Sequence, residues 1–296
     1  MSGSAPLPIA TRGASVPNPF DGVAAEYDAR FTDLLIGRWL RAAVWERLAD
    51  TFAAGDRVLE LGSGTGEDAI WLAQRGVRVT ATDSSSRMLA VARRKAEAAG
   101  AADRIDFARF DFANGPSDGT ERSAGSGDAM EHEEIARLRG LAPFDGAFSN
   151  FGALNCLADR TRLGETLADV LRPGARLVLV LMGPICPWEI ASYLARGQPG
   201  SAFRRFRSGA PANVGEGATV KVWYPSPRHL RSELGRHFRH CATVGIGVLL
   251  PPSYLSNLVE RWTPAFAVLR TIEGRLGPHF PWNQLGDHYL MILERR

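Results

Sequence analysis

An α/β fold, with a mostly parallel sheet covered by helices on both faces, is what this sequence predicts, and three observations carry the prediction. Short apolar runs alternate with segments of helical period from about residue 57 to residue 182, and repeated units of this length require parallel strands joined by crossover helices. The first apolar run, Arg57-Val58-Leu59-Glu60-Leu61, passes directly into three glycines at alternate positions, Gly62, Gly64 and Gly66. Asp83 and Asp111 then stand where the second and third strands end, on the side where open parallel sheets receive ligands.

Pattern and punctuation place each element. Residues 1–20 contain four prolines and no periodicity, which reads as a disordered leader. Helical spacing begins near Val23 and passes Trp39 and Trp45 to about Phe52, where Gly55-Asp56 stops it. A strand over 57–61 leads to a helix from about Glu67 to Arg75, then a strand over 77–82, a helix from about Ser86 to Ala99 and a strand over 104–110. Between Asn114 and Gly140 the chain is rich in Gly, Ser, Asp and Glu and has little to bury, so a mobile insertion with a short helix near Glu131–Leu138 is expected. Alternation resumes with a strand over 145–149, a helix from about Arg160 to Leu171, a turn at Arg172-Pro173-Gly174 and a strand from Arg176 to Met182.

Beyond Met182 the pattern is irregular. It gives a helix over Trp188–Arg196, an Arg- and Gly-rich stretch, a strand over Thr219–Tyr224, a helix over Pro227–His237 and a strand near Ala242–Leu250. A helical insertion carrying Tyr254, Trp262 and Phe266 follows, and a last strand spans His288–Leu293. The resulting plan is a leader (1–20), a core (21–182 completed by 286–296) with a mobile insertion (114–140), and lid insertions over 183–285 that also hold the sixth strand.

Composition narrows the function. No run approaches the roughly 18–20 apolar residues that cross a membrane, and no basic patch followed by an apolar stretch opens the chain, so a cytoplasmic protein without a membrane partner is expected. Cys156, Cys186 and Cys241 are far apart and odd in number, which predicts three reduced thiols and no metal site. The net charge of +3 comes from 35 basic and 32 acidic residues, and of the basic ones only Lys95 and Lys221 are lysine. The arginines are scattered, whereas nucleic-acid binding needs a contiguous basic face. One denser piece, Phe203-Arg204-Arg205-Phe206-Arg207, is a candidate clamp for a carboxylate or phosphate.

The glycine loop lets backbone approach a ligand without Cβ interference at the free N–H end of the next helix. A dinucleotide fingerprint would place its third glycine one position later, where this chain has Glu67. An acid there opposes a pyrophosphate and tolerates a ligand carrying an ammonium or sulfonium group. Asp83 suits the two hydroxyls of a ribose, Asp111 between Phe110 and Phe112 suits an exocyclic amine beside apolar walls, and Ser149 to Asn155 form an apolar loop with two amides.

The series Glu60-Leu61-Gly62-Ser63-Gly64-Thr65-Gly66, with Asp83, Asp111, the loop at Asn150 and the turn Leu171-Arg172-Pro173-Gly174, resembles the class I S-adenosylmethionine-dependent methyltransferases over residues 20–182 and the last strand. The resemblance implies a Rossmann-like doubly wound sheet with an antiparallel last strand, S-adenosyl-L-methionine as cofactor, and a small-molecule methyl acceptor. It places Glu60, Gly62, Ser63, Gly64 and Gly66 along the amino-acid part of the cofactor, Asp83 and Ser84 at the ribose, and Asp111 and Phe112 at the adenine. The Asn150 backbone carbonyl would face the methionine amine, and Tyr27 resembles the N-terminal tyrosine that closes over the cofactor in many small-molecule members.

By the same topology the last strand begins on the ligand side, so Trp282, Asn283, Asp287 and His288 fall near the acceptor, with His288 beside Asp287 as candidate general base. Aromatics in both insertions, among them Trp188, Tyr193, Tyr254 and Trp262, suit an aromatic or anionic acceptor in an apolar pocket. The expected activity is methyl transfer to an O, N or C atom of a small biosynthetic metabolite. Two other readings stay open at this point: a methyltransferase acting on RNA or protein, against which Asn150-Phe151-Gly152-Ala153 lacks the proline common after the fourth-strand Asn of nucleic-acid enzymes, and a nicotinamide-dependent oxidoreductase, against which Glu67 stands.

Overall fold

The structure, a computed structural model, describes residues 18–112, 135–215 and 217–296. Strands β1 (Arg57–Leu61), β2 (Arg78–Asp83), β3 (Ile105–Arg109), β4 (Phe144–Ser149) and β5 (Leu171–Met182) pair in parallel. A hairpin, β6 (Ala210–Gly215) with β7 (Ala218–Val222), stands apart as its own two-stranded sheet. β8 (Phe238–Ile246) and β9 (His288–Arg295) complete the main sheet, with β9 antiparallel to both β5 and β8. The seven strands lie in the order β3-β2-β1-β4-β5-β9-β8. Order therefore reverses between β1 and β4, and the carboxyl ends of β1, β2 and β4 open on one crevice.

Helices cover both faces because alternate residues of each strand are apolar in both directions. Val58, Val178, Val180 and Leu290 pack on one face against Ile36, Leu40, Val44 and Leu48 of α2 (Leu35–Thr51), against α3 (Glu67–Ala73), and against Val259 and Phe266 from α10 (Ser256–Arg261) and α11 (Thr263–Leu276). Leu59, Leu177, Leu179 and Met291 pack on the other against a helix described over 135–141, against α6 (Thr161–Val170) and against α9 (Pro227–Leu234). Each such side chain contributes about 1.5–3 kcal/mol by leaving water. The short α1 (Tyr27–Arg30) and α4 (Ser86–Ala98) flank the crevice, and α7 (Pro187–Ala195) with the one-turn α8 (Pro199–Ala202) follows β5.

Four sequence expectations are revised. The helix expected from Val23 to Phe52 breaks after α1, where Phe31 leaves helical backbone at φ −141° and ψ −60°, and resumes as α2 at Leu35. β5 starts at Leu171, and the 172–174 turn survives as a bulge with Gly174 at φ +79°. The expected strand 219–224 pairs with β6, a strand whose Pro and Gly content hides it from sequence, instead of joining the main sheet. β8 runs 238–246, about four residues early, since Gly247 at φ +67° turns the chain there. Of the expected leader, residues 1–17 lie outside the described residues, while Asn18 donates to Ser84 Oγ at 2.9 Å and Phe20 packs against Val23, Ala24 and Met88. The expected 114–140 insertion lies outside them up to residue 134.

Candidate active site

All three loop glycines adopt positive φ, +69° at Gly62, +53° at Gly64 and +78° at Gly66, but they do different things. A Cβ at Gly62 would overlap Ala153, and one at Gly66 would lie 2.8 Å from the Ala92 Cβ of α4. These two glycines therefore allow close packing of the loop on its neighbours. Gly64 faces open space, with only the Tyr27 ring reaching to 4.0 Å. Asp83, 9% exposed, fastens this loop to β2 by accepting from the Gly64 and Ser85 amides, each at 2.8 Å. Burial raises its pKa, and the two amides pull it back. Ser85 caps α4 through Met88 N and donates to Asp21 at 2.6 Å.

Tyr27 is held over Gly64 by a second set of contacts. Asp28, next to it in α1, accepts from Thr65 Oγ1 at 2.6 Å and from Lys95 at 2.7 Å, and Lys95 also reaches Glu67 at 2.8 Å. The Glu67 charge is thus paired inside the protein, and the repulsion of a pyrophosphate expected from it is weaker than the sequence suggests. On the far side of the loop, Phe112 comes within 3.7 Å of where a Gly62 Cβ would lie. Asp111 sits half-buried beside it and close enough to Asp83 and Cys156 to raise their pKa values. Burial, with these two acids, pushes the Cys156 thiol up to about 11, so it stays protonated.

Beneath the loop lies a buried polar cluster that the sequence reading missed. Asp68 of α3 accepts from Trp45 Nε1 at 2.6 Å, from the Asn150 amide at 3.0 Å, and pairs with Arg41 at 2.6 Å, all in the interior. The available signal was Arg41 itself, a charge on the apolar stripe Ile36, Leu40, Val44, Leu48 that has to find a partner. Around this cluster, Glu60 Oε2, Asn150 Oδ1 and Ser63 Oγ are buried without a hydrogen-bond partner. Burial, with Asp68 nearby, pushes the Glu60 carboxyl well above the usual carboxylate range. Two buried acceptor oxygens that lack donors, beside an open glycine, fit a ligand bearing an ammonium group.

The crevice continues at the ends of β4 and β9. Phe151, in left-handed backbone at φ +48°, turns its ring between Phe31, 5.0 Å away, and His288, 5.4 Å away edge-on, with the Arg41 guanidinium 5.1 Å from its centroid. Non-glycine residues in this conformation are strained and gather at functional sites. His288 Nδ1 lies 3.3 Å from Asp287. Asp287 is in turn held by Arg205 at 2.6 Å, and Arg205 also binds Glu189 at 2.8 Å. Against the cost of burial, His288 and Arg205 hold Asp287 well below the usual carboxylate range.

Arg204 forms a second, two-point contact to Glu189 at 2.8 and 3.0 Å. The candidate anion clamp at 204–207 is therefore occupied internally at Arg204 and Arg205, and Arg205 joins the lid to Asp287 just before β9. Trp282 and Asn283 lie in a short helical turn before β9, with Asn283 donating to the Pro278 carbonyl at 3.3 Å. Among the described residues no helix is long and apolar enough to cross a membrane.

Comparison with known proteins bears on the family and the fold. Residues 58–124 match a methyltransferase-domain family. A demethylmenaquinone methyltransferase of Paenarthrobacter aurescens is 30% identical over 226 residues, 74% of this chain and 76% of that protein. One from Clavibacter sepedonicus is 33% identical over 164 residues, 54% of this chain and only 55% of that protein's length. A tRNA 5-carboxymethoxyuridine methyltransferase of Escherichia coli is 26% identical over 69% of this chain and 72% of its own. The crystal structure of an S-adenosylmethionine-dependent methyltransferase from Mesorhizobium loti shares the fold, with a TM-score of 0.50, 19% identity, and coverage of 86% of this chain and 98% of that one. The chain belongs to the class I S-adenosylmethionine-dependent methyltransferases, and S-adenosyl-L-methionine is its cofactor.

Proposed function

We propose that this enzyme methylates an O, N or C atom of a small planar ring compound, and that the crevice at β1, β2 and β4 holds the cofactor. The observation that carries the reading is the juxtaposition of Gly64, open to a ligand, with the unpartnered oxygens of Glu60 and Asn150 and the ring cluster Phe31, Phe151 and His288. The demethylmenaquinone relatives, whose named substrate is such a ring, support it. Bound in the crevice, the cofactor supplies an electrophilic sulfonium methyl. Glu60 and Asn150 would accept from its ammonium, Asp83 and Ser84 would meet the ribose, Asp111 and Phe112 would meet the adenine, and Tyr27 would cover it.

The chain must then align the acceptor at roughly 3–3.5 Å from the methyl and exclude water. Phe151 offers the ring face for that alignment. With Nδ1 turned to Asp287, His288 has Nε2 to take a proton from the acceptor. His288→Ala is expected to lower kcat by about 100-fold or more with cofactor affinity kept; an unchanged rate would make His288 structural. Asp83→Ala is expected to weaken S-adenosylhomocysteine binding by about 1–3 kcal/mol in calorimetry, and unchanged affinity would remove Asp83 from the site.

The tRNA methyltransferase relative gives the rival reading a concrete form. Purified enzyme with labelled cofactor should be offered a demethylated naphthoquinol with a short side chain and, separately, undermodified tRNA. Label in the quinol with tRNA inert supports the proposal, whereas label in tRNA alone replaces it.

A further inference from the structure

All nine large hydrophobic side chains that are exposed among the described residues lie between Leu194 and Phe280. Part of this surface is the outer face of α10 and α11. Trp262, at φ −123° and ψ 35°, separates the two helices, with its N–H bonded to the Leu258 carbonyl and its carbonyl to Phe266 N–H, both at 3.1 Å. Leu258 of α10, Trp262 at the junction and Ala265, Val268 and Ile272 of α11 are exposed, while Val259, Phe266 and Glu273 are buried. Val268 is 59% exposed and Trp262 55%. Exposed Arg261 closes α10, and exposed Arg275 lies in the last turn of α11.

Charge separates the possible occupants. Residues 183–285 hold twelve Arg and Lys against five Asp and Glu, although the whole chain is only +3. Glu189 and Glu233 are buried in ion pairs with arginine, and Glu273 accepts from the backbone amides of Gly247, Leu249 and Leu250. Among the described residues Glu260 is thus the one exposed acid of this region. A second copy docked on the same face would bring its own Arg261 and Arg275 to a surface already carrying these arginines, which repels. An anionic surface meets the same arginines favourably, and an outward face of Trp and aliphatic residues edged by arginine is what an interfacial helix presents to lipid headgroups.

We propose that the α10–α11 face lies in the surface of a membrane containing anionic phospholipid, with Trp262, Val268 and Ile272 entering the headgroup boundary and Arg261 and Arg275 meeting phosphates. This is attachment to one leaflet, without a spanning helix, and it goes beyond the acceptor assignment without resting on it.

The test is co-sedimentation of the full chain with phosphatidylcholine vesicles, with and without phosphatidylglycerol. Binding is expected to be at least about tenfold tighter to the anionic vesicles and to weaken with salt. Val268→Glu with Ile272→Glu should reduce it about tenfold, while S-adenosylhomocysteine binding stays within about twofold, a sign that the variant is folded. The charge reversal Arg261→Glu with Arg275→Glu, both exposed residues, should lower binding similarly and serves if the first variant does not fold. Three results would overturn the proposal: no binding to anionic vesicles, equal binding by wild type and both variants, or a wild-type dimer in ultracentrifugation that the variants convert to monomer.

Discussion

Asp68→Ala is expected to destabilise the protein by about 3–5 kcal/mol, the scale of a buried ion pair that loses one partner. The residue is 4% exposed and serves three donors from two segments: Arg41 and Trp45 of α2 and Asn150 after β4. Its removal leaves the Arg41 guanidinium charged in the interior, where Nε already lacks a partner. The midpoint of denaturant unfolding measures the loss. A change below about 1 kcal/mol would mean that water replaces the carboxylate and that the cluster is not a dry support. Asp68→Asn keeps the shape and an acceptor for Trp45 and should recover part of the stability. Because Asp68 holds the Asn150 amide, cofactor affinity should fall in both variants.

Arg205→Met is expected to have a comparable effect, about 3–5 kcal/mol at neutral pH, because it takes a guanidinium from buried Asp287 and leaves Glu189 to Arg204 alone. Arg205 is 5% exposed, and besides Glu189 and Asp287 it donates to the Gly183 and Asp287 carbonyls at 3.2 and 2.9 Å. The pH dependence carries a sign. Asp287 and Glu189 are both held below their ordinary pKa values in the folded protein, against the cost of burial. A carboxyl with a depressed folded value contributes stability that is fully present above its unfolded pKa, near 4, and is lost as pH falls through the folded value. The gap between wild type and Arg205→Met should therefore be widest above about pH 5 and narrow below about pH 4. A gap that is constant with pH would assign Arg205 a packing role only.

How far the sequence disclosed this protein depends on the kind of contact involved. The parallel sheet and its helices were legible because their signals are local: short continuous apolar runs in β1 and β5 and glycines where backbone must turn. The glycine loop was legible for the same reason, with Gly62 and Gly66 pressed against Ala153 and Ala92 and Gly64 left open. What the sequence hid rests on contacts between distant residues. Arg41 meets Asp68 across 27 positions and Arg205 meets Asp287 across 82, and no spacing rule anticipates either. The Arg204–Arg207 run shows the error this produces. Read in isolation it offers charge to a ligand, whereas Glu189, inside an otherwise apolar helix, takes up the first two of its arginines.

Calorimetric titration of the purified chain with S-adenosylhomocysteine, repeated with Gly64→Ala, tests the central claim most directly. The open space at Gly64 predicts one-to-one binding by wild type. For the variant it predicts a loss of affinity well beyond the roughly 1–2 kcal/mol of backbone strain that alanine suffers in left-handed geometry, since its methyl enters the space meant for the ligand. Absent binding by wild type, or tight NADH binding in its place, would contradict the account.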